Sequence, residues 1–259
     1  MQTIESKVEH VDGWLNPVEG RLLYRLARSC KKRGAIVEVG SWKGKSTIWL
    51  SHGSVAGSGG KVHAIDPHTG SPEHSRMFGE VWTFDEFERN IRDAGMKEMV
   101  VPHVDFSDAV AKRFEEPVEF IFIDGLHEYE GVKIDFDAWY PKVVDGGWMA
   151  FHDTTCWPGV LKVVVENVFR SGNFRRIGFA KSIVYAQKVS RLTAWERIEN
   201  RLMLWAFLFH AWGDRVQWRL LHHYFDFPIT RAIVKYLKKR EARPVTVAGD
   251  MTSAAKNTP

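Results

Sequence analysis

From residue 17 to about residue 190 the chain alternates short apolar runs with stretches of helical character, and this alternation limits its architecture more than any other feature. "AIVEV" (35–39), "KVHAID" (61–66), "EMVVPHV" (98–104), "EFIFID" (119–124) and "GGWMAFHD" (146–153) read as strands. Runs this short and this apolar suit strands buried on both faces. Asn16 is placed to cap a first helix, with Pro17 at its first helical position. A second helix is expected over about 45–55, and "TFDEFERNIRDAG" opens as a capping box, Thr83 to Glu86. "SDAVAKRF", "EYEGVKIDFDAWY" and 159–170 complete the helices. Strands separated by helices imply right-handed crossovers and a parallel sheet. The last two strands, near 173–178 and 182–187, are joined by a short connection. They should form a hairpin, one strand running antiparallel in a seven-stranded, mostly parallel sheet.

A chain of 259 residues allows one large domain, or one domain and an appendage. With 44% hydrophobic residues it can bury a sizeable core. A net charge of +4 is only mildly basic, and no nucleic-acid partner is expected from it. Cys30 and Cys156 form neither a CxxC pair nor a disulfide framework. Together with the polar opening "MQTIESKVEHVDGW", which carries no signal-peptide pattern, this points to the cytoplasm. No apolar run approaches the ~20 residues of a membrane span.

Residues 191–243 differ in character, with Trp195, Trp205, Trp212 and Trp218 among 11 Lys/Arg and 5 Asp/Glu. They read as two or three amphipathic helices. The expected division is a domain over 1–190, a basic Trp-rich helical appendage over 191–243 and a disordered tail over 244–259. The appendage suits peripheral contact at the inner membrane face, a homo-oligomer contact or a lid on the sheet. His222 and His223 have no ligand-type neighbours at metal spacing, so no metal site is expected there.

The stretch "EVGSWKGKS" (38–46) has two readings. A phosphate loop needs G-x-x-x-x-G-K-[ST], which puts its first glycine at position 39, where this chain has Val39. A dinucleotide fingerprint fails as well, because position 42 is Trp. What remains is an acidic residue followed by Gly40 and Gly44 at a strand-to-helix junction, where glycines let backbone approach a ligand closely. Lys45 then reads as a first-turn surface lysine.

The blocks "EVGSWKGKST", "AIDPHTG", "TFDEFERNI", "FIFIDGLHEYEGVKIDFDAWYPKVVDGGWMAFHDT" and "WPGV", in that order, resemble the class I S-adenosylmethionine-dependent methyltransferases. More closely they resemble the methyltransferase-24 branch of metal-associated O-methyltransferase-like proteins, over roughly residues 12–187. The resemblance implies a Rossmann-like, doubly wound sheet and S-adenosyl-L-methionine as cofactor. It gives Glu38, Gly40 and Gly44 the cofactor's amino-acid end, with Ser41 or Ser46 as donors, and Asp105 the adenine. At Val104, just before it, relatives carry a glycine. Asp66 ends the second strand, where a carboxylate can accept both ribose hydroxyls.

Asp124 and Asp153 end adjacent strands, where ligands bind in open α/β sheets. Two such carboxylates repel unless a proton or cation intervenes. The resemblance implies Mg²⁺ or Mn²⁺ there, with Thr154, His152 or His127 completing the set. Some relatives place an Asp where this chain has Leu126. His127 can act as base toward an acceptor hydroxyl, or orient Asp124. His68 and His74 lie in the loop 67–82, solvated or lining the acceptor pocket. The expected reaction is O-methylation of a sugar, glycan or other hydroxylated metabolite. The alternative is a catalytically idle cofactor-binding protein acting through its C-terminal helices at a membrane or a protein partner.

Overall fold

The computed structural model of the chain describes residues 3–70 and 80–219, with side chains of the last helix as far as residue 213. Seven strands form one sheet in the order β3-β2-β1-β4-β5-β7-β6. They are β1 (Ala35–Val39), β2 (Val62–Ile65), β3 (Val100–His103), β4 (Val118–Ile123), β5 (Val143–Phe151), β6 (Phe174–Ala180) and β7 (Ile183–Lys188). The first five run parallel, and β7 pairs antiparallel with both β5 and β6, which is the hairpin expected from the short connection. Every residue of β1, β2 and β4 is buried, as the unbroken apolar runs require.

The helices are α1 (Ile4–Val8), α2 (Pro17–Arg28), α3 (Lys45–Val55), α4 (Phe84–Asp93), α5 (Ser107–Arg113), α6 (Tyr129–Trp139), α7 (Pro158–Val164) and α8 (Ala194–Arg219). A π-helical turn, Val165–Phe169, continues α7. Asn16 caps α2 as expected, and Glu19 completes a reciprocal capping box by accepting from the Asn16 amide at 2.9 Å. Thr83 makes no cap bond to α4. Its hydroxyl lies instead 2.9 Å from His68 Nδ1. The expected capping box is therefore replaced by a contact between the two ends of the loop after β2. The interior of that loop, with His74, lies outside the described residues.

A single helix, α8, opens the segment 191–243. Thr193 and Glu196 cap it reciprocally, at 2.8 and 3.2 Å. Met203, Phe207 and Ala211 are buried on its inner face, and Phe207 stacks on Phe169. Trp218's side chain, His222, His223 and the tail 244–259 lie outside what is described. No helix among the described residues is long and apolar enough to cross a membrane.

Candidate active site

The loop between β1 and α3 is shaped by close backbone approach. Gly40 has φ +85°, and a Cβ there would lie 2.0 Å from the Asp124 carbonyl oxygen, so the loop passes the end of β4 only with glycine. Gly44, at φ +91°, starts α3. Lys45 donates to the Gly13 carbonyl at 3.1 Å, consistent with a residue outside any phosphate loop.

Glu38 is fully buried beneath this loop, where its Oε2 accepts the Thr47 hydroxyl. Its Oε1 and the buried Ser41 Oγ have no hydrogen-bond partner. Burial pushes the Glu38 carboxyl up to about 8, a shift that the nearby hydroxyls of Ser46 and Thr47 oppose. Asp66 joins two loops: Oδ2 accepts from the Trp42 amide and Oδ1 from the His68 amide, each at 2.7 Å. Trp42 (φ 46°) and His68 (φ 58°) both occupy the left-handed region, which is uncommon for bulky residues and concentrates at functional sites. His68 is buried, between Phe84 and Phe87 and against Thr83, so it is neither solvated nor on an open pocket wall. Asp105 is half-buried after β3; the hydrogen bond from Arg113 at 2.8 Å holds its carboxyl below the usual range. Val104 and Phe106 beside it are exposed apolar side chains.

A second cluster gathers at the ends of β4 and β5. The sequence leads one to expect Asp124 and Asp153 to meet at adjacent strand ends, and their ligand atoms lie within 4.8 Å of each other. The structure puts the His152 imidazole between them, with Nδ1 3.1 Å from Asp124 Oδ1 and 3.4 Å from Asp153 Oδ1. His152 Nε2 lies 3.5 Å from Glu19 Oε2. His127 stands at Asp153 Oδ2, 3.3 Å away, and its ring stacks on Trp157. His127 thus orients Asp153. Asp153 itself has φ 57°.

Burial raises the Asp124 carboxyl above its ordinary range, although His152 opposes the shift. For Asp153 burial acts in the same direction, but hydrogen bonds from His127 and His152 outweigh it and hold the carboxyl well below that range. Burial alone would lower His152; the carboxylates of Asp124, Asp153 and Glu19 hold it well above its ordinary value.

Glu19 belongs to this cluster and was not visible as a site residue. It is buried, and besides His152 it accepts from the Ser182 amide at 2.9 Å and hydroxyl at 2.7 Å. Its local signal is only the capping-box spacing after Asn16. Thr154 turns away, its hydroxyl donating to the Ser182 carbonyl at 2.6 Å.

Residues 37–154 match a family model described as a methyltransferase domain. A curated relative, the uncharacterized protein y4gI of Sinorhizobium fredii, is 28% identical over 120 residues, and the match spans 46% of this chain but only 13% of that protein's length. Among solved structures, the O-methyltransferase NovP superposes with TM-score 0.58 at 20% identity, covering 72% of this chain and 88% of its own. The O-methyltransferase of Bacillus cereus, in complex with SAH, gives TM-score 0.52 at 20% identity, over 71% of this chain and 91% of its own. TomG, an O-methyltransferase of Streptomyces achromogenes in complex with SAM, gives 0.52 at 16% identity, over 72% and 86%. At these identities the likeness is one of fold. Sheet order, glycine loop and matched family model agree, and residues 37–154 of the chain are similar to a methyltransferase domain.

Proposed function

We propose that the protein transfers a methyl group from S-adenosyl-L-methionine to a hydroxyl oxygen of a sugar, glycan or other small hydroxylated metabolite. The observation that carries this reading is a pair of buried polar atoms without partners, Glu38 Oε1 and Ser41 Oγ, at the glycine loop next to the strand-end carboxylates. Buried polar groups left unpaired are costly, and a ligand with a charged amino-acid tail would supply their partners. Asp66 then meets the ribose and the Asp105 region the adenine. The O-methyltransferases that share the fold, one with SAM and one with SAH, support the same donor and the same class of acceptor atom.

The cluster at β4 and β5 fits a divalent cation, Mg²⁺ or Mn²⁺. One ligand atom from each of Asp124, His152 and Asp153 lies within 4.8 Å of the others. His152 would give up its Nδ1 proton and present that nitrogen, while Glu19 at Nε2 fixes the ring, as carboxylates commonly do behind a ligating imidazole. An imidazole among the donors favours Mn²⁺ over Mg²⁺. When bound, such a cation makes an acceptor hydroxyl easier to deprotonate. His127, whose side chain is 23% exposed, is the base assigned to that proton, held in place by Asp153 and Trp157. The glycine loop and Asp66 position donor against acceptor, so that oxygen, methyl carbon and sulfur stand in line.

The test combines binding and turnover. S-adenosylhomocysteine should raise the melting temperature and ATP should not, with the shift largely lost in Asp66→Ala. Acceptor pools incubated with methyl-labelled S-adenosylmethionine should yield labelled product, abolished by EDTA and restored best by Mn²⁺. A response to ATP alone would overturn the donor assignment; turnover that survives exhaustive chelation would remove the cation and leave deprotonation to His127.

A further inference from the structure

Helix α8 has two apolar faces. The inner face, with Met203, Phe207 and Ala211, is buried in the domain, and Asn200 on the same side donates to the Phe174 carbonyl at 2.7 Å. The outer face carries Trp195 (66% exposed), Ile198 (47%), Leu202 (63%), Trp205 (72%) and Trp212 (54%). Phe209, half-buried, lies in the same row with its ring 6.0 Å from Trp212. Positions 195, 198, 202, 205, 209 and 212 are separated by alternating steps of three and four. This is the narrow seam of a helix that packs along another helix. Among the described residues nothing covers it.

We propose that this outer face of α8 is the docking surface for a second copy of the same chain, helix against helix. Three observations choose that occupant. First, the strict three-four alternation marks a seam with period 3.5, whereas a helix lying in a lipid interface presents a broader apolar arc. Second, residues 194–213 carry two acidic side chains, Glu196 and Glu199, and two basic ones, Arg197 and Arg201. This stretch of the helix is therefore neutral overall. It lacks the Lys/Arg excess that holds an amphipathic helix on anionic lipid, and it carries no surplus of like charge to repel an identical helix. Third, the area is sufficient. Large aromatic side chains bury roughly 150–250 Å² each, so the row offers about 600 Å² per copy and about 1,200 Å² for two, at the lower bound of stable specific interfaces.

The seam is also self-complementary. With a two-fold axis between Leu202 and Trp205, antiparallel copies place the first seam residue of one opposite the last of the other, and large side chains meet throughout. Such isologous contacts are the commonest way for identical chains to associate.

The experiment is sedimentation velocity on the full chain over about 1–100 µM, the range in which an interface of this size self-associates. The wild type should sediment with twice the mass of one chain at the upper end. Leu202→Glu/Trp205→Glu should weaken self-association about a hundredfold, because truncating or charging a central aromatic anchor removes most of the binding energy. Its far-ultraviolet circular dichroism and its melting shift with S-adenosylhomocysteine should stay unchanged, since neither residue touches the proposed cofactor region. If the charged pair disturbs folding, Trp205→Ser alone serves the same purpose. Three results would overturn the proposal: a monomeric wild type at the highest concentration, a double variant that still dimerises, or a monomeric wild type that sediments with phosphatidylcholine–phosphatidylserine vesicles through Trp205.

Discussion

Glu38 sits at the junction of fold and site, and its environment sets a pH window. Its carboxyl is raised from 4.5 to about 8, chiefly by burial. An acid raised in this way is favoured in its protonated form by the folded state. Its contribution is therefore most favourable below pH 4.5, and stability is lost as pH rises from there toward about 8. The slope is about 1.4 kcal/mol per pH unit for one proton. Glu38→Gln keeps the shape and removes the titration. The stability difference between variant and wild type, from urea titrations across this window, should grow steadily in the variant's favour as pH rises. A difference that does not change with pH would show that the folded carboxyl titrates normally. The same residue should bind the cofactor's ammonium with release of a proton, which buffers of different ionisation enthalpy would reveal in calorimetry.

At the scale of elements, the contact between α2 and α3 rests on two glycines. A Cβ at Gly20 would lie 2.4 Å from the Trp49 ring, and one at Gly53 would lie 2.4 Å from the Tyr24 carbonyl oxygen and 2.9 Å from Ala27 Cβ. Gly53→Ala gains up to about 1 kcal/mol in helix propensity. Against this, overpacking a rigid backbone contact costs about 1–3 kcal/mol. The net effect should be a lower urea midpoint at unchanged m-value, and a stabilised variant would contradict this packing. Strands β1, β2 and β4 were legible because a strand buried on both faces leaves an unbroken apolar run that needs no tertiary knowledge. The start of α2 was legible from Asn16 and Pro17 for a similarly local reason. Thr83 misled because a capping pattern competes with a partner the local sequence does not show, His68 across the loop. Glu19 was hidden more deeply. Its spacing says helix start, whereas the buried role comes from Ser182, 163 residues further along, and from His152.

At the scale of the whole molecule, the sheet order and the gathering of ligand-type residues at the carboxyl ends of the parallel strands follow from the alternation of strands and helices. The wiring within that gathering does not. Asp124 and Asp153 were visible as neighbours, but the imidazole between them depends on how β5 ends and on a carboxylate delivered by α2. The segment after residue 190 raises the corresponding question of what belongs to the core. Its composition sets it apart, yet Phe207 is fully buried, with ring centroids 5.6 Å from Phe169 and 5.5 Å from Phe179, and Asn200 bonds the Phe174 carbonyl of β6. Emptying that site by Phe207→Ala should cost about 3–5 kcal/mol. Truncation after Val189 removes Phe207 together with Met203, Ala211 and the Asn200 hydrogen bond, and uncovers Phe169 and Phe179. Because folded domains are stable by only about 5–15 kcal/mol, that loss should leave the shortened chain unfolded or aggregated at 37 °C. Thermal unfolding of the full chain, Phe207→Ala and the truncated form, at concentrations where the chain is monomeric, decides the matter. A truncated chain melting within about two degrees of the full one, less than the shift that even ~1 kcal/mol produces in a domain of this size, would make α8 an accessory to the sheet instead of part of its core.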